Sequence, residues 1–311
     1  MPGPWEGEAP AKTILAGEHA VVYGHPAVAI PVQALRASAR LTEEAGEKVS
    51  LFLGDLGIEA TLPALDPVPA LRPFARILSA AAAFGAPLRG LALEVSSAIP
   101  VGRGLGSSAA VSAACFRALA ARAGADLSDA ELSALTFEIE KVHHGTPSGV
   151  DNATVSHGRP VLFRKGENPQ LLPTGAFAFV LSDAGSAPST REMVERVRGL
   201  RDARPAETRD LLERMGRVAL RTAEALRGGT PAVLGALLAE NHGLLRDLGL
   251  STDRIEGLCA AASSAGAHGA KLTGGGGGGY VVACAPDEGA EAVAEAMQKA
   301  GGENTVITRL P

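Results

Sequence analysis

Cysteine, aromatic residues and an excess of charge of one sign are all scarce in this 311-residue chain, and each scarcity excludes something. The three cysteines, Cys115, Cys259 and Cys284, are odd in number, far apart and without a C-x-x-C partner. That excludes a disulfide framework and a cysteine-ligated zinc site, and it predicts reduced, buried thiols. Aromatics make up 4% and the formal net charge is -5 with no long basic run, so the chain offers no nucleic-acid surface. Any anionic ligand has to be held by local features. No apolar run approaches membrane-spanning length, and Met1 to Trp5 lacks a basic segment followed by an apolar one. The expectation is a cytosolic, cytoplasmic protein without membrane contact. No G-x-x-x-x-G-K-[ST] sequence is present, which excludes a P-loop nucleotide site.

What the chain has in quantity is glycine, 38 residues, and the stretch around which the rest is organised is Ile99 to Ala114, IPVGRGLGSSAAVSAA. An alternating apolar run, Leu91 to Val95, precedes it, and an Ala-rich segment free of Gly and Pro follows from Ala109 to Ala123. The pattern predicts strand, glycine turn, helix start. Gly102, Gly104 and Gly106 let the backbone curl and approach a ligand closely, and Ser107 and Ser108 set hydroxyls beside the open N–H groups of a helix N-terminus. Phosphate is the expected guest. The loose G-x-G-x-x-A match at Gly104 to Ala109 also admits a dinucleotide loop, but the following stretch from Asp126 to Val142 is helical in pattern rather than a second strand. A purely structural glycine turn is the third alternative.

The remaining elements follow from periodicity and punctuation. Residues 11 to 32 read as two short strands around a Gly/His/Pro turn, and Ala34 to Leu62 as strand pieces separated by Gly46, Gly54 and Gly57. Pro63 to Pro73 reads as a connection and Leu71 to Phe84 as a helix. Ser128-Asp-Ala-Glu131 is a capping box that opens a helix ending before Gly145, and Val142 to Asn152 reads as a loop. Phe177 to Ser182 reads as a buried strand, Ala187 to Leu248 as three helices, and 252–265 as a further helix. Ala270 to Thr273 and Tyr280 to Ala285 read as strands flanking six glycines, before a last helix at Glu288 to Lys299 and a strand at Thr305 to Leu310. Without regular βα alternation this is an α+β chain. Arg164 to Pro169 reads as a surface linker, which divides it into domains 1–170 and 171–311.

Three further constellations carry chemistry. Lys12 with Gly17-Glu18-His19 reads either as solvated surface groups or as a cation and an orienting pair for a hydroxylated, carboxylated substrate. Glu140 and His143, three apart on a helix, lack the second Glu-x-x-His copy that a di-metal site needs. Magnesium suits better, because it keeps its waters and asks for only one or two protein oxygens, here Glu140 and a loop serine. Asp151, in a glycine-flanked loop, reads as a base or as a turn former. The run Gly274 to Gly279 carries a heavy ordering entropy, which a hairpin keeps only for close backbone approach or motion.

Taken together these motifs resemble the GHMP kinase superfamily, and within it the mevalonate kinases: Lys12-x-Ile-Leu-x-Gly17-Glu-His-x-Val-Val-Tyr-Gly24, Pro100-x-x-x-Gly104-Leu-Gly-Ser-Ser-Ala-Ala110, His144 to Asn152, and Lys271-Leu-Thr-Gly with its glycines. The resemblance implies a ribosomal S5 domain-2-like N-terminal domain, a ferredoxin-like C-terminal domain and an active site in the cleft between them. It implies ATP-dependent phosphorylation of mevalonate at its 5-hydroxyl, with Mg²⁺ as cofactor and a homodimer as the assembly. By the same resemblance Pro100, Gly102, Gly104, Leu105, Gly106, Ser107, Ser108 and Ala109 wrap ATP, and Gly274, Gly275 and Gly276 close near its phosphates. Ser108 and Glu140 hold the metal, Asp151 is the base, Lys12 stabilises the transferring phosphoryl, and Gly17, Glu18 and His19 bind the substrate. The sequence departs from the family pattern at Gly275, where Ala is common, at Tyr280, where Cys is common, and at Val111, where animal enzymes often carry an aromatic. Other GHMP small-molecule kinases, acting on phosphomevalonate, on the 3-hydroxyl of mevalonate or on a sugar, and a non-catalytic binding protein on the same fold are the alternatives.

Overall fold

The computed structural model describes residues 4–61, 68, 71–85, 88–145 and 147–310, so the connection expected at Pro63 to Pro73 lies largely outside the described residues. In chain order the elements are β1 (Trp5–Ala16), β2 (Ala27–Glu43), β3 (Val49–Leu53), β4 (Ile58–Thr61), α1 (Arg72–Ala81), β5 (Leu91–Ser97), α2 (Ser107–Ala123), α3 (Asp129–His144), α4 (Val150–His157), β6 (Val161–Phe163) and β7 (Gln170–Leu171). They continue as β8 (Phe177–Asp183), α5 (Thr190–Ala203), α6 (Pro205–Gly228), α7 (Pro231–Asp247), α8 (Asp253–Ser264), β9 (Gly269–Leu272), β10 (Tyr280–Ala285), α9 (Ala290–Lys299) and β11 (Glu303–Leu310). This is the α+β order expected from the sequence.

The chain gathers into two compact units. One contains Met1–Ala11, Leu35–Pro100 and Gly106–Gly158. Within it β3 lies parallel to β5 and antiparallel to β4, and the second half of β2 pairs with β5 from Ala37↔Ser97 to Glu43↔Leu91. Helices α1 to α4 pack on one another. The buried face of α2 is built of small residues, Ala109, Ala110, Ala113, Ala114 and Ala118, which allow close helix packing. α3 starts on the expected capping box: the Ser128 hydroxyl accepts the Glu131 N–H, and the Glu131 carboxylate accepts the Ser128 N–H.

The other unit contains Lys12–Ala34, Val101–Leu105 and Arg159–Pro311. It holds a four-stranded sheet, antiparallel throughout in the order β11-β8-β10-β9, which counted from β8 along the chain is 4-1-3-2, the ferredoxin-like order. Every residue of β8 and β10 is buried, so both faces of these strands are covered. A second capping box, Ser189 with Glu192, starts α5. Arg164 to Pro169 is the turn of the β6–β7 hairpin, whose register pairs Val161 with Leu171. The polar, turn-forming composition read as a linker serves a tight turn equally well. Compactness does not follow one cut of the chain near residue 170, because Lys12–Ala34 packs with the C-terminal elements.

Tyr280 is wholly buried in β10 opposite Asp183, and its hydroxyl donates to the Asn304 carbonyl at 3.3 Å. Burial and the neighbouring Asp183 push that phenol up to about 12. All three cysteines are free thiols and buried, as expected.

Candidate active site

In the first unit α2 starts on a positive-φ glycine without a side-chain cap, as α4 does, and the long α6 of the other unit likewise has none. α3, α5, α7 and α8 each begin on a Ser or Thr whose hydroxyl accepts a backbone N–H, whereas α2 begins on Gly106 at φ 73° with no side-chain cap. Its first N–H groups therefore point outward together with the positive end of the helix dipole, the setting that binds phosphate. In the first turn the Ser108 hydroxyl donates to Glu140 Oε1 of α3 at 2.6 Å, and the Ser107 hydroxyl donates to the Ile99 carbonyl at 3.4 Å. Glu140 is 1% exposed, and His144, one turn further along α3, brings Nε2 to 3.7 Å from its second oxygen.

Asp151 is placed differently from the sequence expectation. It stands in the first turn of α4 and not in a loop. Gly149, at φ 100°, turns the chain so sharply that Val150 can begin the helix, in which Val150 and Asn152 to Ser156 are all buried. The apolar residues Val150, Ala153 and Val155 were the signal hidden among the turn formers. Asn152 locks α4 to α3 by donating to the Ser133 carbonyl at 3.1 Å and to its hydroxyl at 2.9 Å. Asp151 is half-buried at the helix N-terminus.

In the second unit the glycines of two motifs meet. Gly104, at φ 81°, and Gly274, at φ 83°, lie so close that a Cβ on Gly274 would stand 3.3 Å from the Gly104 Cα. The run Gly274 to Gly279 joins β9 to β10, and the Gly279 carbonyl accepts the Ala184 N–H at 2.7 Å. The Lys12 N–H donates to the Leu105 carbonyl at 3.0 Å, which ties the Val101–Leu105 segment to β1. Arg103, in the same segment, brings Nε to 3.3 Å from Oδ2 of Asp183, a carboxylate that is 1% exposed.

Lys12, Glu18 and His19 are not solvated surface groups; they are 3%, 1% and 6% exposed. β1 and β2 are longer than the short strands expected, and the bend between them is a 3-10 turn, Ala20–Tyr23, entered through Gly17 at φ 92° and His19 at φ 58°. A positive φ at a residue with a Cβ is strained and persists only when its surroundings impose it. His19 Nε2 lies 2.9 Å from the Gly275 carbonyl, and because a carbonyl only accepts, Nε2 carries the proton. Burial pulls the His19 pKa below 6.5, and the bond to Gly275 offsets only part of that, so the ring is neutral near pH 7 and Nδ1 keeps its lone pair.

Sequence reading did not place Lys271, Asn241, His242 and Thr273 among the site residues. Lys271 is 0% exposed in β9 and forms an ion pair with Glu18 Oε1. Asn241 of α7 donates to Glu18 Oε2 at 3.0 Å, and its carbonyl accepts the Gly17 N–H at 3.4 Å. His242 Nδ1 accepts the Leu272 N–H at 3.3 Å while Nε2 faces Glu256 Oε1 at 3.1 Å. The Thr273 hydroxyl donates to the Ile14 carbonyl at 3.1 Å, which ties the end of β9 to β1. A charged residue in the apolar strand pattern Ala270 to Thr273 was the available signal for Lys271.

Comparison with known proteins bears on this arrangement. Residues 72–159 match the GHMP kinases N terminal domain and residues 222–303 match the GHMP kinases C terminal domain. The chain is 35% identical to a mevalonate kinase of Thermococcus gammatolerans, over 94% of this chain and 92% of that one. It is also 35% identical to a mevalonate kinase of Aeropyrum pernix, over 88% and 86% of the two chains. The structure of L. major mevalonate kinase in complex with R-mevalonate superimposes with a TM-score of 0.81 at 26% identity, covering 96% of this chain and 92% of that one.

Proposed function

The chain belongs to the GHMP kinases, among the mevalonate kinases, and on that premise we propose that it transfers the γ-phosphoryl group of ATP to the 5-hydroxyl of mevalonate. The observation that carries the reading is the start of α2, an uncapped helix N-terminus behind a glycine turn with a hydroxyl seated on a buried carboxylate.

The two oxygens at that start fit magnesium. Ser108 Oγ and Glu140 Oε1 are hard donors 2.6 Å apart, and Mg²⁺ fills its octahedron from one or two carboxylates, phosphate oxygens and water. When bound there, Mg²⁺ would neutralise phosphate charge; Ser108 and Glu140 would hold it. Among the described residues no group of three or more His, Cys, Asp or Glu gathers as a metal site.

Phosphoryl transfer proceeds through a loose transition state in which positioning and charge neutralisation supply most of the catalysis. The N–H groups at the start of α2, with the loop from Pro100 through Gly102, Gly104, Leu105 and Gly106 to Ala109, would hold the phosphates. Asp151 would accept the proton as the substrate hydroxyl oxygen bonds to the γ-phosphorus and the bond to the ADP oxygen breaks. Lys12 would stabilise the charge on the moving phosphoryl oxygens. His19, neutral and with Nδ1 able to accept, would bond a substrate hydroxyl, with Gly17 shaping the turn and Gly275 fixing the ring.

The test is ADP release with Mg-ATP and mevalonate, phosphomevalonate, galactose or homoserine at equal concentration, with the product identified by phosphorus NMR. Turnover of mevalonate to the 5-phosphate is expected. Phosphate on the 3-hydroxyl, or turnover of another acceptor only, moves the specificity, and no turnover of any acceptor removes the reading.

A further inference from the structure

Both carboxylate oxygens of Glu18 are engaged within the fold. Oε1 is taken by the Lys271 ammonium and Oε2 by the Asn241 amide at 3.0 Å. The Lys271 ammonium is equally committed, with the carbonyls of Ile14 (3.2 Å) and Leu272 as its other acceptors, which accounts for all three of its protons. Asn241 closes the figure by accepting the Gly17 N–H at 3.4 Å. All three side chains are at most 1% exposed.

What this cluster encloses is the strained turn. Gly17 and His19 both have positive φ, and Glu18 stands between them. A buried ion pair is weak evidence for stability, since desolvating both charges costs about as much as their attraction returns; it is better suited to fixing one conformation. The packing that delivers Asn241 is specific. α7 presses on β9 at Gly235 and Gly269, where a Cβ on Gly269 would collide with the Gly235 backbone.

We propose that Lys271, Glu18 and Asn241 form a buried brace that holds the Gly17-Glu18-His19 turn in its strained conformation, so that Glu18 positions His19 instead of contacting the substrate. Lys271 and Asn241 are thereby positioning residues for the acceptor side of the reaction. This rests on the functional reading above, which assigns the turn to the acceptor.

The test uses the full-length protein as wild type, Lys271→Met, Glu18→Gln, the double variant and Asn241→Ala. Each is measured by unfolding midpoint, by kcat and KM for both substrates, and by Mg-ATP affinity. Lys271→Met is expected to lower kcat/KM for mevalonate by about 10²-fold, the scale of a small misplacement at a reacting group, and to leave Mg-ATP affinity unchanged. Because the two residues act as one unit, the double variant should lose no more kcat/KM than either single variant, and it should recover part of the unfolding midpoint that Lys271→Met loses. Losses in kcat/KM that multiply, or a folded Lys271→Met with wild-type kinetics, overturn the brace. Equal losses toward ATP and mevalonate also overturn it, since a general loss of structure would produce them. If Lys271→Met does not fold, Asn241→Ala decides: it keeps the ion pair, frees Glu18 Oε2 and the Gly17 N–H, and should raise KM for mevalonate, whereas unchanged kinetics sink the proposal. If the wild type does not turn over mevalonate, the functional reading falls by itself. The brace is then judged on the midpoints alone, where additive losses from Glu18→Gln and Lys271→Met overturn it.

Discussion

Glu140 and Glu18 are both 1% exposed, and both accept a short hydrogen bond from another element, yet their partners differ. Glu140 takes a hydroxyl, from Ser108, at the start of α2, with His144 Nε2 3.7 Å from its other oxygen. Glu18 takes an ammonium, from Lys271, and a carboxamide, from Asn241. A carboxylate held by a buried ammonium is committed within the fold, whereas under the proposed function Glu140, with a hydroxyl and the exposed His144 ring beside it, would also hold a metal ion. Burial alone therefore does not tell two such carboxylates apart; their partners do.

A third carboxylate sets the upper end of the scale. Asp151 is half-buried in the first turn of α4, and Asp151→Asn should lower turnover by roughly 10²–10⁴-fold with ATP binding intact, as loss of a general base does. Near wild-type turnover in a steady-state assay would return Asp151 to a helix-starting role. Between the two buried carboxylates the contrast should be one of kind. Glu18→Gln strands a buried ammonium and should cost about 3–5 kcal/mol of stability by denaturant titration, with the magnesium dependence of turnover unmoved. Glu140→Gln should raise the magnesium requirement by at least the roughly 10–100-fold that even an outer-shell loss costs, with a smaller effect on stability. If the two variants exchanged these phenotypes, the comparison would be broken.

The smallest effects concern the supports around them. Arg103→Ala leaves the buried Asp183 carboxylate without its cation, so stability should fall by about 1–3 kcal/mol in a denaturant titration while KM for ATP rises, read from an ATP titration. His19 and His242 both have pKa values lowered by burial from 6.5. A folded state that resists protonation is destabilised where the unfolded state takes the proton, so stability should fall as pH drops below about 6.5 and be flat above it. His19→Gln should flatten that acid limb in a pH series of unfolding midpoints.

Most of the secondary structure was legible because its signals are local. Ser128 with Glu131 marked the start of α3, the apolar alternation at Leu91 marked β5, and the six glycines stood between two strands as expected. The misreadings were also local. Val142 to Asn152 holds so many turn formers that the start of α4 at Val150 passed unseen, and Arg164 to Pro169 has the composition of a linker while forming a hairpin turn. In both places a short element is specified by burial of side chains, which composition does not display.

The sequence by itself determined the α+β class, the glycine turn before α2, the caps, and the residue types of phosphoryl-transfer chemistry, because spacing along the chain encodes helix, strand and turn. Only the tertiary structure decided which of those residues are free to use their chemistry. Lys271 and Glu18 are 253 residues apart, and nothing in either neighbourhood names the other. They meet because α7 and β9 approach closely at Gly235 and Gly269 and because β9 is tied to β1 through Thr273. A carboxylate's role is set by the partners that packing brings to it, and packing is a property of the folded chain as a whole.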